Sequence, residues 1–268
     1  MHGLLGRNGA GKTTLMSLLT GQEFASAGEI RIFGHSPVEN AAVLFRTCFI
    51  KEGPKYPDDF KVKHVLRSAP WFFDGWDEAF AQELIDDFRL PTDRRIKKLS
   101  RRQLSTIGVI VGLASRAPLT FFDEPYLGLD AVARQLFYDR LLQDFAEHPR
   151  TVVLSTHLID VVSSLLEHVL VIDQGHLVVD SDAEELRGAA ATVAGPRAAV
   201  DSFTAGREVI ARSALGSRAS ATLPRLDASG WSQALQHGLE PVSLQQLVVQ
   251  LTTGKDPRCP PRPRPLPA

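Results

Sequence analysis

Cysteine is scarce: Cys48 and Cys259 are the only two in 268 residues. Two thiols so far apart build no disulfide framework, so a reducing compartment is the simpler setting. Long apolar runs are missing too. The longest lies at about 107–114, well short of the roughly 20 residues that cross a bilayer. Gly-rich sequence begins by Gly3, so no secretory leader is legible, and the cytoplasm is the expected location. Neither sign of charge is in excess, with 30 basic residues against 31 acidic ones and a net charge of −1. That balance disfavours a strongly basic nucleic-acid binder and an acidic tail protein alike. Apolar residues, by contrast, make up 44% of the chain, which is enough for a core and excludes global disorder. The length suits one large or two modest domains.

The run Gly6-Arg7-Asn8-Gly9-Ala10-Gly11-Lys12-Thr13 fits G-x-x-x-x-G-K-[ST]. Chance yields this in roughly one chain in a hundred of this length. Its setting strengthens it. Residues 2–5 read as the end of a strand, and 13–19 carry Leu15, Leu18 and Leu19 at helical spacing. Strand, Gly-rich loop and helix form the context that a phosphate cradle needs. Backbone amides of such a loop converge on phosphate oxygens, and the helix adds its positive end. Gly6, Arg7, Asn8, Gly9, Ala10, Gly11, Lys12, Thr13 and Thr14 are therefore the candidate nucleotide-binding residues. Lys12 reaches the β and γ phosphates, and Thr13 offers its hydroxyl to Mg²⁺. The competing reading, a loop that only turns the chain, lacks the flanking strand and helix in its favour.

A second element is Leu119-Thr120-Phe121-Phe122-Asp123-Glu124, an apolar strand ending in two carboxylates. Alone it is a weak signal. Beside a phosphate loop, Asp123 is placed to hold Mg²⁺ and Glu124 to polarise the attacking water as general base. Further strands are expected at 29–33, 47–50, 152–154 and 169–172. Those at 119–122, 152–154 and 169–172 lack clean alternation, as strands buried on both faces of a parallel sheet do. Helices are expected at 77–88, with Asp77 as N-cap, at 103–114 and at 131–145. Strands alternating with helices give an α/β fold. Composition shifts near Gly188. A capping-box pattern at Ser243-Leu244-Gln245-Gln246 predicts a last helix. Residues 255–268 hold six of the 17 prolines and read as a solvated, disordered tail.

Between the loop and the carboxylates stands Leu99-Ser100-Arg101-Arg102-Gln103. These three elements in this order resemble the ATP-binding cassette of ABC transporters, over about 3–188. Gly128-Leu129-Asp130 resembles the family's D-loop, and Ser155-Thr156-His157 its switch histidine. Within the family, Tyr56-Pro57, Trp76-Asp77 and the run from Asp123 to Asp130 look most like cassettes paired with ABC-2-type exporter subunits. The resemblance implies a P-loop NTPase (RecA-like) core in 1–188 with a helical subdomain at about 61–114. It leaves a small accessory module at 189–254. It further implies two cassettes, alike or different, that sandwich two ATP molecules head to tail and push on separate transmembrane permease subunits. Ser100 would then meet the γ-phosphate held by the other chain, and His157 would hold that phosphate and orient the water with Glu124. The implied location is the cytoplasmic face of the plasma membrane, with no nucleic-acid partner.

Four departures from the family's pattern stand out. Its members begin with a further antiparallel sheet and an adenine-stacking aromatic upstream of the loop, so the expectation is an N-terminally truncated cassette with exposed strand edges and poor solubility. Lys51 stands where a glutamine normally reaches the metal. Like charges at about 4 Å repel by roughly 4 kcal/mol at an effective dielectric near 20. Arg102 replaces a glycine that lets backbone approach phosphate, which weakens capping but adds a phosphate-seeking guanidinium. Tyr126 and Leu127 replace small polar residues. Lys51 and Arg102 support a rival reading, a regulatory or degenerate cassette that binds ATP with little turnover. A soluble, non-transport ABC ATPase is a further alternative, disfavoured by the absence of a basic footprint. The aromatic stretch Trp71-Phe72-Phe73 with Trp76 is expected mainly as core of the helical subdomain, with a coupling surface as the other reading.

Overall fold

The computed structural model describes residues 1–156, 165–209, 211–224, 226 and 228–241. His157, the helix expected after Ser243 and the proline-rich 255–268 stretch lie outside the described residues. A six-stranded sheet organises the first part. Its strands are β1 (His2–Leu5), β2 (Thr47–Ile50), β3 (Leu119–Asp123), β4 (Thr151–Ser155), β5 (His168–Asp173) and β6 (His176–Asp182), in the order β2-β3-β4-β1-β5-β6. The first five run parallel and β6 pairs antiparallel with β5. The register puts Leu4 and Asp123 level with Ser155, so the ends of β1, β3 and β4 form one rim.

Alternation along the strands splits the apolar side chains between two layers. Leu4, Phe49, Phe121 and Ile172 pack with Met16 of α1 (Lys12–Leu19) on one face. Ile50, Phe122, Leu154 and Val171 meet α5 (Arg101–Ala114) and α6 (Ala131–Glu147) on the other. The closest approach is at Gly112 of α5. An added Cβ there would sit 2.4 Å from the Phe122 ring and 2.8 Å from Ile50. Only a residue without a side chain lets α5 lie this close to the sheet.

Between β2 and β3 the chain is mostly helical. It forms α3 (Val62–Ser68), a 3-10 turn at Ala69–Trp71, α4 (Glu78–Phe88) and a second 3-10 turn at Ile96–Lys98, then enters α5. Asp77 caps α4 by accepting from the Phe80 amide at 2.8 Å. Helix α5 starts two residues earlier than expected, because Ser100 and Gln103 cap it reciprocally. A single turn, α2 (Ala41–Leu44), precedes β2.

Three expectations change. Residues 29–33 form no strand; Phe33 and Gly34 both take positive φ and turn the chain so that Ile32 bridges only His35. Of the three strands expected to be buried on both faces, only β3 is buried throughout, whereas Val153 and Leu170 are only partly buried beside the short α1. Trp71 and Phe72 are not core: they are 76% and 56% exposed, while Phe73 and Trp76 pack against the core.

Helix α7 (Ala183–Ala189) leads from β6 into a second, antiparallel sheet. It comprises β7 (Ala190–Pro196), β8 (Ala211–Leu215), β9 (Arg218–Pro224) and β10 (Glu240–Pro241), in the order β10-β7-β9-β8. Helices α8 (Arg197–Thr204) and α9 (Ala228–Gln236) accompany it, and Val193, Val200, Phe203, Ala221 and Leu223 form its own apolar cluster.

The β5–β6 hairpin carries a titrating contact. His168 Nε2 lies 2.6 Å from Asp180 Oδ1 and its Nδ1 lies 2.9 Å from Asp182 Oδ1. These bonds, that of Asp182 foremost, raise the histidine above its ordinary 6.5. A raised folded-state value means that the stabilisation is complete below about pH 6.5 and fades as the pH climbs through the higher value. His2, its ring centroid 5.8 Å away, shifts downward chiefly through burial and opposes the trend. The difference between native protein and His168→Gln isolates the first effect. Their melting temperatures should differ most near pH 6 and converge by about pH 9; a gap that stays constant or widens with pH refutes this.

Candidate functional site

The phosphate-loop sequence leaves the carboxyl end of β1 and enters α1 through Gly11, whose φ of 107° serves as the helix N-cap. Its first glycine is required by packing. Gly6 has a φ of 152°, and a Cβ there would lie 2.3 Å from the Ile172 carbonyl oxygen. The tip of the β5–β6 hairpin braces the loop from the same side, with the Gly175 amide donating to the Ala10 carbonyl at 2.9 Å. Gln174 and Gly175 both take positive φ, the conformation of a type I′ hairpin turn. Sequence reasoning missed β6 and this brace. The Gln-Gly pair after an apolar run was the available signal.

Lys12 is buried, and its ammonium donates to the carbonyls of Gly6 at 2.9 Å and Arg7 at 3.3 Å. The same Nζ lies 3.9 Å from Glu124 Oε1. The Thr13 hydroxyl donates to Asp123 Oδ2 at 2.5 Å, which joins the start of α1 to the end of β3. Asp123 is 2% exposed, and its Oδ1 has no hydrogen-bond partner among the described residues; nor has the buried Ser155 Oγ on the neighbouring strand. Lys12, Thr13, Asp123 and Glu124 thus converge. Arg7, Asn8, Gly9 and Thr14 are exposed around them.

Glu124 begins the turn after β3 with a φ of 49° and is 8% exposed. A left-handed non-glycine residue costs roughly 1–2 kcal/mol, and such strain concentrates at functional sites. The turn is tied by the Leu127 amide to the Glu124 carbonyl and by the Leu129 amide to the Tyr126 carbonyl, both at 3.0 Å. Tyr126 is buried, and its hydroxyl donates to Glu124 Oε2. The sequence marked Tyr126 as unusual without revealing this bond. Tyr138 of α6 lies nearby, its phenol pushed upward by burial, against which the Arg134 charge acts.

The remaining candidates lie outside this cluster. Ser100 is exposed, and its bonds run to Gln103 of its own helix. Arg101 pairs with Glu52 at 2.9 Å, and Arg102 with Asp130 at 3.1 Å. The Arg102 guanidinium, expected to favour phosphate, is therefore drawn to the carboxylate that caps α6. Lys51, just past the end of β2, lies over the Phe49 ring, 5.2 Å from its centroid.

Among the described residues, no helix is long and apolar enough to cross a membrane. The family profile described as ABC transporter matches residues 1–127. AlbC of Bacillus subtilis strain 168, an ABC transporter ATP-binding protein by name, is 30% identical over 182 residues, which are 64% of this chain and 75% of that protein. Nod factor export ATP-binding protein I of Cupriavidus metallidurans is 30% identical over 190 residues, covering 69% of this chain and 62% of that one. The chain spans 57–64% of the length of several such relatives. A solved structure of the ATP binding subunit of an ABC transporter shares the fold, with a TM-score of 0.63 and 24% identity over 70% of this chain and 80% of that one.

Proposed function

This chain belongs to the family of ABC transporter ATP-binding proteins, and on that premise we propose that it binds Mg-ATP at residues 6–14 and hydrolyses it to drive separate membrane subunits. The observation that carries the reading is the convergence of Lys12, Thr13, Asp123 and Glu124 on the rim formed by β1 and β3. Ligands of open α/β sheets bind at the carboxyl ends of strands.

In this reading the loop amides and the N-terminus of α1 hold phosphate oxygens. Lys12 exchanges its bonds to the Gly6 and Arg7 carbonyls for the β and γ phosphates. Thr13 and Asp123 fit Mg²⁺: both offer hard oxygen, and Asp123 Oδ1 is buried with no hydrogen-bond partner among the described residues. When bound, the ion neutralises charge on the phosphates. Glu124 takes the proton of the attacking water, since it is a buried carboxylate directly beyond the metal-facing one. Ser100, exposed at the start of α5, suits contact with the nucleotide of a second cassette, alike or different. His157 keeps the phosphate-holding role implied by its place after Ser155-Thr156.

An apolar depression lined by Ala41, Leu44, Phe45, Phe72 and Phe73, beside the exposed Trp71, supports docking of a membrane subunit at the cytoplasmic face. The likeness of 123–130 to ABC-2-type exporter cassettes supports export as the direction. The low-turnover alternative is favoured by one observation, the bulky Arg102 of the Leu99–Gln103 peptide, which pairs with Asp130.

Binding of a fluorescent ATP analogue, with and without Mg²⁺, tests the site. The native chain should bind more tightly with the ion, and Asp123→Asn should lose at least about tenfold of that Mg²⁺-dependent gain. Equal affinity in both proteins, or no binding by the native chain, defeats the reading.

A further inference from the structure

We propose that Tyr126 is a positioning residue for Glu124, and that its hydroxyl sets the turnover rate of the site without taking part in nucleotide binding. The inference rests on the hydrolytic reading above. Glu124 is gripped from two sides. Its Oε1 lies 3.9 Å from the Lys12 ammonium, and its Oε2 accepts from the Tyr126 hydroxyl. The lysine grip is temporary in this reading, because Lys12 turns to phosphate when nucleotide binds. The tyrosine grip is on the other carboxylate oxygen and involves no phosphate-facing group.

Tyr126 is itself held. Its side chain is 1% exposed within the main core, and Arg134 of α6 sets its guanidinium 5.4 Å from the ring centroid. Helix α6 is anchored in turn at Asp130, which accepts from the Ala133 amide at 2.8 Å and pairs with Arg102. The carboxylate is therefore held by a buried ring of its own turn, and Arg134 of α6 covers that ring. The backbone needs such help. Glu124 occupies a left-handed conformation that favours glycine, and a three-carbon side chain leaving such a turn has several rotamers available. A general base displaced by about 1 Å loses up to a hundredfold in rate.

The test is Tyr126→Phe, which keeps the buried ring and removes the hydroxyl alone. With the purified full chain and Mg-ATP, kcat should fall about tenfold, while KM and the affinity for a fluorescent ATP analogue stay within about twofold. Melting temperature supplies a readout apart from activity. Tyr126→Phe should lower it in the native background but not in Glu124→Ala, where the acceptor is already gone. Unchanged kcat in Tyr126→Phe, a rise in KM at constant kcat, or an equal loss of melting temperature in both backgrounds overturns the inference. An active native chain with an indifferent variant defeats this inference alone. A native chain that binds ATP without hydrolysing it defeats the hydrolytic reading, and this inference with it.

Discussion

Glu124→Gln is expected to lower steady-state Mg-ATP hydrolysis about 10²- to 10⁴-fold, the usual contribution of a general base. Nucleotide affinity should hardly change. The substitution is nearly isosteric at a buried position, and Lys12 retains its carbonyl acceptors at Gly6 and Arg7. The amide oxygen still accepts from Tyr126, so the fold of the turn is preserved. What is lost is the capacity to take a proton from water beside the phosphates. Turnover that vanishes in the variant establishes a true ATPase in which Lys51 and Arg102 are tolerated. Turnover that survives refutes the role of Glu124. Absence of turnover in both proteins favours the regulatory cassette.

The second large effect concerns stability. Asp144 of α6 is fully buried and faces two guanidinium groups and an imidazole. Arg150 Nη1 lies 2.5 Å away, Arg116 Nε 3.2 Å and His148 Nδ1 3.5 Å. Arg116 also pairs with Asp77, the cap of α4, at 2.7 Å, and Arg150 donates to the Leu113 carbonyl at 3.4 Å near the end of α5. One carboxylate thus joins α4, α5, α6 and the start of β4. The Arg150 side chain is almost as buried, and its Nε has no hydrogen-bond partner among the described residues. Removing Asp144 leaves that cation unpaired in a low-dielectric setting, which costs about 3–5 kcal/mol. Against a total stability of about 5–15 kcal/mol this is a large fraction. Asp144→Ala should therefore lower the melting temperature by about 10 °C. The double variant Asp144→Leu/Arg150→Met should recover much of the loss, because well-packed apolar pairs often match buried ion pairs. A loss below about 1 kcal/mol in the single variant would show that the pair carries little net stability.

The local signals for the candidate nucleotide site were legible in the sequence because phosphate chemistry constrains residue type at short range. The glycines at 6, 9 and 11, Lys12 and Thr13 lie within one short stretch, and the carboxylates Asp123 and Glu124 end an apolar strand. That these two stretches, 110 residues apart, meet through the Thr13–Asp123 bond was inferred from the family pattern, and the sheet order β3-β4-β1 accomplishes it. The main helices were legible for a similar reason, since periodicity and caps such as Asp77 are local.

Other features were decided only by tertiary packing. Residues 29–33 have the composition of a strand, but a strand needs a neighbour, and the turn at Phe33–Gly34 leaves Ile32 bridged only to His35. Strand β6 is polar and weakly patterned, and forms because β5 offers it an edge across the Gln174–Gly175 turn. Trp71 and Phe72 are large and apolar, yet hydrophobicity states a preference for burial and not whether a partner surface is in reach. The same holds for Tyr126, Arg102 and Lys51. Residue type showed that each was unusual; only the folded neighbourhood assigned them a carboxylate, a second carboxylate and an aromatic face. By itself, the sequence determined the chemistry available at the rim of the sheet. The tertiary structure decided which side chains hold that chemistry in place, because positioning depends on contacts between segments far apart in the chain.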